Sequence, residues 1–137
     1  MAVLVDTSFL FALTNENDKS HAACVTTAQT IKTRLIVPVT VLPEITYLLD
    51  VRLGHHAMRQ FVKQMANPGW MLESLDESDL VRAGQMLEKY SDNRLDFVDA
   101  TIVAIAERLN VKRILTLDQR HFRVIRPLHS PSFELLP

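Results

Sequence analysis

The chain has 137 residues, 47% hydrophobic and 23% charged, with a formal net charge of −1. That balance suits a globular domain with one core, excludes a disordered chain, and does not by itself advertise nucleic-acid binding. The single cysteine, Cys24, excludes an internal disulfide and any cysteine-rich zinc site, and the N-terminus carries no basic, apolar leader. The expectation is one soluble, cytoplasmic domain over 1–137 that does not enter a membrane.

Residues 2–5 form a continuous apolar run that stops at Asp6, the pattern of a strand buried on both faces of a parallel sheet. Residues 8–13 and 20–33 read as helices, the second capped by Asp18 or Ser20. A second short buried strand covers 35–37. The helix that follows, 40–53, carries Pro43 in its first turn, where a missing N–H costs little. Another helix over 55–66 closes on Asn67-Pro68-Gly69, and 70–75 reads as an outer strand. Asp76, Ser78 and Asp79 then cap a helix that runs to about Tyr90. Residues 96–109 make the most apolar helix, with Phe97, Val98, Ile102, Val103, Ile105 and Leu109 spread around it, so it is expected to be buried on most sides. A strand over 113–117 ends at Asp118, and a last short one is expected at 124–125. This alternation predicts an α/β fold with a mostly parallel sheet connected right-handedly.

The three glycines, Gly54, Gly69 and Gly84, are too far apart to make a dinucleotide-binding GxGxxG or a P-loop, and no GxSxG occurs. Charge is unevenly placed. Residues 73–107 hold nine acids against Arg82, Lys89 and Arg94, and residues 112–137 hold Lys112, Arg113, Arg120, Arg123 and Arg126 against two acids. An acidic centre beside a basic stretch suits a site that binds cations and also handles a polyanion.

Two acids stand directly after buried strands, Asp6 and Asp118, where ligands bind in open α/β sheets. Glu44 lies within about a turn of the start of the helix after the second strand. Asp99 begins the most apolar helix, and Asp96, three residues earlier, shares its face. Singly, each has a plain explanation as a cap, a turn or half of an ion pair. Together, four acids converging on one sheet edge would repel strongly, and the simplest compensation is a hard divalent cation such as Mg²⁺, held by carboxylates, waters and substrate oxygens.

The segments Val3-Leu4-Val5-Asp6-Thr7-Ser8, Pro43-Glu44-Ile45, Leu95-Asp96-Phe97-Val98-Asp99-Ala100-Thr101-Ile102-Val103-Ala104 and Leu115-Thr116-Leu117-Asp118-Gln119-Arg120-His121-Phe122 resemble the successive acidic motifs of PIN-domain ribonucleases, in order and along nearly the whole chain. Within that family the chain is most similar to the VapC toxins of type II toxin–antitoxin modules. The resemblance implies a PIN-like fold, with a central sheet of four to five strands flanked by helices. It also implies endonucleolytic cleavage of RNA by water activated on Mg²⁺, with Mn²⁺ able to substitute. Asp6, Glu44 and Asp99 become the core metal-site and catalytic acids, Asp118 a fourth and more variable one, and Asp96 an additional carboxylate ranked below them. Ser8 matches a supporting hydroxyl. The partners implied are an RNA substrate, a cognate antitoxin that can place a basic side chain in the acidic pocket, and a second copy in a homodimer. Arg113, Arg120 and Arg123 are candidate contacts for RNA phosphates.

His55 and His56 are adjacent and point apart on a helix, and His21 with Cys24 lacks a third ligand, so neither pair reads as a metal site. His121 is close enough to Asp118 to approach the acids, but loop packing beside Phe122 explains it equally. Trp70 stands alone, with no base-stacking platform around it. A phosphoacceptor receiver domain would need paired acids after the first strand and a late lysine. A haloacid-dehalogenase-like phosphatase would need DxD, where Asp6 is followed by Thr7-Ser8. The alternative that survives is a catalytically inactive PIN-like module that acts only by binding a protein or RNA partner.

Overall fold

In the computed structural model, which describes residues 2–137, five strands form one sheet. The strands are β1 (Val3–Val5), β2 (Leu35–Pro38), β3 (Trp70–Glu73), β4 (Arg113–Leu115) and β5 (Glu134–Leu136), in the order β3-β2-β1-β4-β5. Every neighbouring pair is parallel, with Val3 opposite both Leu35 and Arg113, and Arg113 opposite Glu134. All five carboxyl ends therefore point to one edge of the sheet. The helices are α1 (Thr7–Thr14), α2 (His21–Thr30), α3 (Val41–Leu53), α4 (His55–Gln64), α5 (Glu77–Lys89), α6 (Phe97–Leu109) and the short α7 (Gln119–Arg123), with a 3₁₀ turn at Ser91–Asn93. None is long and apolar enough to cross a membrane.

β1 sits at the centre of the sheet, and Val3, Leu4 and Val5 are wholly buried, as an apolar run without alternation requires. Phe9 and Leu10 of α1 and Ile102, Val103 and Ile105 of α6 join it in a core that reaches Phe122 and Ile125. Truncating Phe9 to alanine there would cost about 3–5 kcal/mol. α6 is buried continuously from Asp99 to Ala106, although Phe97 at its start is half exposed.

The sequence expectations need adjusting at three places. The helix expected over 20–33 is shorter, and Ser20 precedes it without a side-chain cap. The strand expected to reach Leu117 ends at Leu115, after which the chain bends toward the acidic edge. No strand forms at 124–125. Ile125 is buried at the end of α7 instead, and the last strand is Glu134–Leu136. Only two apolar residues mark it, behind Pro127 and Pro131, and as an edge strand paired along one side it has Glu134 exposed and Leu135 and Leu136 half-buried.

Candidate active site

Asp6 is the residue at which β1 becomes α1. Its extended backbone caps the helix, and Oδ1 accepts from the Thr7 N–H at 2.7 Å. Oδ2 accepts from the Thr116 hydroxyl at 2.8 Å and from Ser8 Oγ at 3.3 Å. These two hydroxyls lie 3.2 Å apart and tie down the loop after β4. Ser8 Oγ accepts from the Leu117 N–H at 2.9 Å, and Thr116 Oγ1 from the Asp118 N–H at 3.0 Å. The end of β1 and the end of β4 are thus one hydrogen-bonded unit, in which the Ser8 hydroxyl takes part. Thr116 is fully buried and was not singled out in the sequence, where a threonine in a strand is unremarkable.

Asp96 caps α6, its Oδ1 accepting from the Asp99 N–H at 2.8 Å, so the plain explanation of this residue holds in the fold. Asp99, in the first turn, is 5% exposed, and its Oδ2 lies 3.1 Å from His121 Nδ1. The same nitrogen is 3.0 Å from Asp118 Oδ2, so one imidazole stands between two carboxylates. Glu44 is exposed in the first turn of α3, whose start is tied to α6 by a 2.8 Å contact between the Thr40 and Thr101 hydroxyls.

The electrostatics follow from this crowding. Burial pushes the Asp99 carboxyl up to about 8, and the charges of Asp6, Asp96, Asp118 and Glu44 add to the rise. Burial likewise takes Asp6 to about 6, with Glu44 raising it further and the bonds from Thr116, Thr7 and Ser8 opposing. Among the described residues, no three His, Cys, Asp or Glu side chains stand close enough to cage an ion by themselves. The acids feel one another's charge without enclosing a point. Such an open donor set fits Mg²⁺ or Mn²⁺, which take one or two carboxylates and complete their shell with waters and phosphate oxygens.

The three arginines considered for RNA do not all lie at this edge. Arg120 and Arg123 lie on α7, directly after Asp118. Arg113 begins β4, at the amino ends of the strands, beside Lys32 and Glu134. A strand start and a strand end lie on opposite edges of a parallel sheet, which takes Arg113 away from the acids. His21 Nδ1 donates to the Ala12 carbonyl at 2.8 Å, and Cys24 is buried in the core.

The family model of the PIN domain matches residues 3–127. Ribonuclease VapC26 of Mycobacterium tuberculosis is 31% identical over 135 residues, which is 98% of this chain and 100% of the relative. The crystal structure of VapC20 from the same organism, described as a sarcin–ricin loop cleaving toxin, superposes with a TM-score of 0.80 at 25% identity, covering 85% of this chain and 89% of the other. A toxin–antitoxin complex from Klebsiella pneumoniae matches with a TM-score of 0.71 at 16% identity, over 96% of this chain and 99% of that one, a likeness of fold alone.

Proposed function

Because the chain belongs to the PIN domain family and, within it, to the VapC toxins, we propose that it is an endoribonuclease dependent on Mg²⁺ or Mn²⁺ and the toxin of a type II toxin–antitoxin pair. The observation that carries this reading is the placement of Asp99, a carboxyl pushed upward first by its burial and further by the charges of Asp6, Asp96, Asp118 and Glu44 around it. Carboxylates so arranged are costly unless a cation joins them, and sites of this kind recur where chemistry is done.

Asp6 and Asp99 are the residues that would hold the cation, with Glu44 and Asp118 reaching it directly or through water. Bound there, a hard divalent ion supplies charge neutralisation at a phosphodiester and activation of a water for attack on phosphorus. Thr116 and Ser8 keep the Asp6 carboxylate pointed at the edge by donating to Oδ2, and the Thr7 N–H fixes Oδ1. Asp96 holds the first turn of α6 and so the direction of Asp99. His121 Nδ1 links the Asp99 and Asp118 side chains. An acidic edge of this kind also suits an antitoxin that offers a basic side chain, and a toxin–antitoxin complex is among the similar structures. A homodimer is the expected assembly.

The test is cleavage of a mixed RNA pool by the purified protein with Mg²⁺ or Mn²⁺, beside EDTA and Asp99→Asn. Cleavage that requires both the metal and Asp99 is expected. Cleavage that persists in EDTA and in the variant would overturn the reading. Binding of RNA without cleavage by the wild type would favour a module that only binds.

A further inference from the structure

Resting on the nuclease reading, we propose that a cleft beside α7 holds one unstacked nucleotide of a single-stranded RNA, next to the phosphodiester presented to the acids. The cleft has a volume of about 490 Å³ and is lined by Asn93, Arg120, His121, Arg123 and Val124. That is within the range of pockets that take a small organic ligand.

Its position follows from His121. Nδ1 of this ring contacts Asp118 and Asp99 at 3.0 and 3.1 Å, while the same residue lines the cleft. The cleft and the acidic edge therefore share a wall one imidazole thick. A chain of phosphates lying on the acids alone would be repelled, so a productive strand needs cations on a flank beside them. α7 supplies them in the residues directly after Asp118.

Two side chains of this cleft, Arg120 and Asn93, are uncommitted. Arg120 is exposed and makes no hydrogen bond or ion pair among the described residues, whereas Arg82 and Arg108 elsewhere are fully engaged with carboxylates. Arg123 gives one nitrogen to Gln119 Oε1 at 3.1 Å and another face to the cleft. A planar guanidinium with free donors matches a phosphate in two-pronged fashion. The Asn93 side chain is likewise without a partner among the described residues, and its amide offers one donor and one acceptor to a base edge. It is presented by a 3₁₀ turn that ends on Arg94 in the left-handed region, φ 54°. Val124, 43% exposed, gives an apolar surface for the face of a base or ribose. Phosphate clamp, edge reader and apolar face together are what a splayed-out RNA nucleotide requires, and a base stacked in a duplex could not enter.

The test is fluorescence anisotropy of a labelled short single-stranded RNA with EDTA present, so that binding is read apart from cleavage. Arg120→Ala and Asn93→Ala are compared with wild type and with Lys32→Ala, a cation at the opposite edge of the sheet, each checked for an unchanged melting temperature. Arg120→Ala should bind about 5- to 10-fold more weakly with a salt slope shallower by about one. Asn93→Ala should keep the salt slope and lose discrimination among homopolymeric RNAs, and Lys32→Ala should match wild type. Unchanged binding in both cleft variants overturns the cleft, as does a Lys32→Ala loss equal to that of Arg120→Ala, which would mean diffuse attraction. The nuclease reading fails separately. Wild type that binds through the cleft but never cleaves with Mg²⁺ leaves the cleft standing, and cleavage with unaltered KM in both cleft variants removes the cleft alone.

Discussion

Two sides of α6 bury carboxylates to the same depth and treat them in opposite ways. On the flank, Asp79 is 2% exposed and is gripped by Arg108, whose Nε lies 3.0 Å from Oδ1 and whose Nη2 lies 3.0 Å from Oδ2. The same guanidinium reaches Glu73 at 3.2 Å and the Ser74 carbonyl at 3.1 Å, joining β3, α5 and α6. Arg82 holds Glu107 at 2.6 Å. Although burial opposes it, that bond and one from the Leu128 N–H keep Glu107 below its usual range. At the sheet edge, Asp6 and Asp99 are each 5% exposed, and hydroxyls, backbone N–H groups and one imidazole are their partners. The flank uses its arginines to fasten elements together, and the edge holds Asp6 and Asp99 with no arginine or lysine partner among the described residues. The difference separates a joint from a binding site more clearly than the count of acids does.

Removing the central charge of the edge should have the largest effect. Asp99→Asn is expected to lower metal-dependent RNA cleavage by about 10³-fold or more, while raising stability at pH 8.5 by about 2 kcal/mol, because the like-charge repulsion on a buried carboxylate is gone. Activity assays and chemical denaturation measure the two arms, and a variant both inactive and less stable would show that Asp99 is a structural acid like Asp79. The flank should answer in the reverse sense. Arg108→Ala leaves Asp79 buried without its cation and is expected to cost about 3–5 kcal/mol on urea unfolding. A loss below about 1 kcal/mol would erase the contrast.

The pH dependence sharpens it further. Asp6 and Asp99 hold their protons to about 6 and about 8 when folded, against 3.8 for a free carboxyl. The folded protein thus binds more protons than the unfolded chain above pH 4, and stability contributed by these groups falls as pH rises until about 8 is passed. Melting temperatures in EDTA should decline across that window, and saturating Mg²⁺ should flatten the decline. A curve that rises from pH 5 to 8 without metal would contradict the assignment. The smallest effect is expected from Thr116→Val, which removes one donor from Asp6 Oδ2 and should weaken Mn²⁺ binding about 10-fold by calorimetry.

The acids could be read from sequence because a carboxylate interrupting an apolar run is conspicuous whatever the fold. Asp6 after Val5 and Asp99 within α6 are of this kind. Asp96 ranks below the other acids in the sequence, and in the fold its Oδ1 accepts the Asp99 N–H at 2.8 Å as a helix cap. Thr116 carries no such signal, since its hydroxyl acquires meaning only from a partner 110 positions away. His121 keeps two equal readings in the sequence, approach to the acids or loop packing, because only the tertiary fold brings α6 within 3.1 Å of it. The basic C-terminal stretch misled in one respect. Charge counted along a segment does not distinguish the two ends of a strand, and Arg113 and Arg120 lie at opposite ends of β4. β5 was hidden by its brevity and its place at the edge.

The bond between Thr116 and Asp6 closes a loop of most of the chain, and so do the parallel pairings of β1 with β4. No fragment that lacks either strand contains the acidic edge, and no early, locally folded species does. Long-range closures of this sort come late and slowly in folding. Catalytic competence should therefore appear with the final, slowest phase of refolding and vanish at the first loosening of β4 from β1. An enzyme harmful to the cell that makes it would in this way be inert in every partly folded form, before any inhibitor has met it.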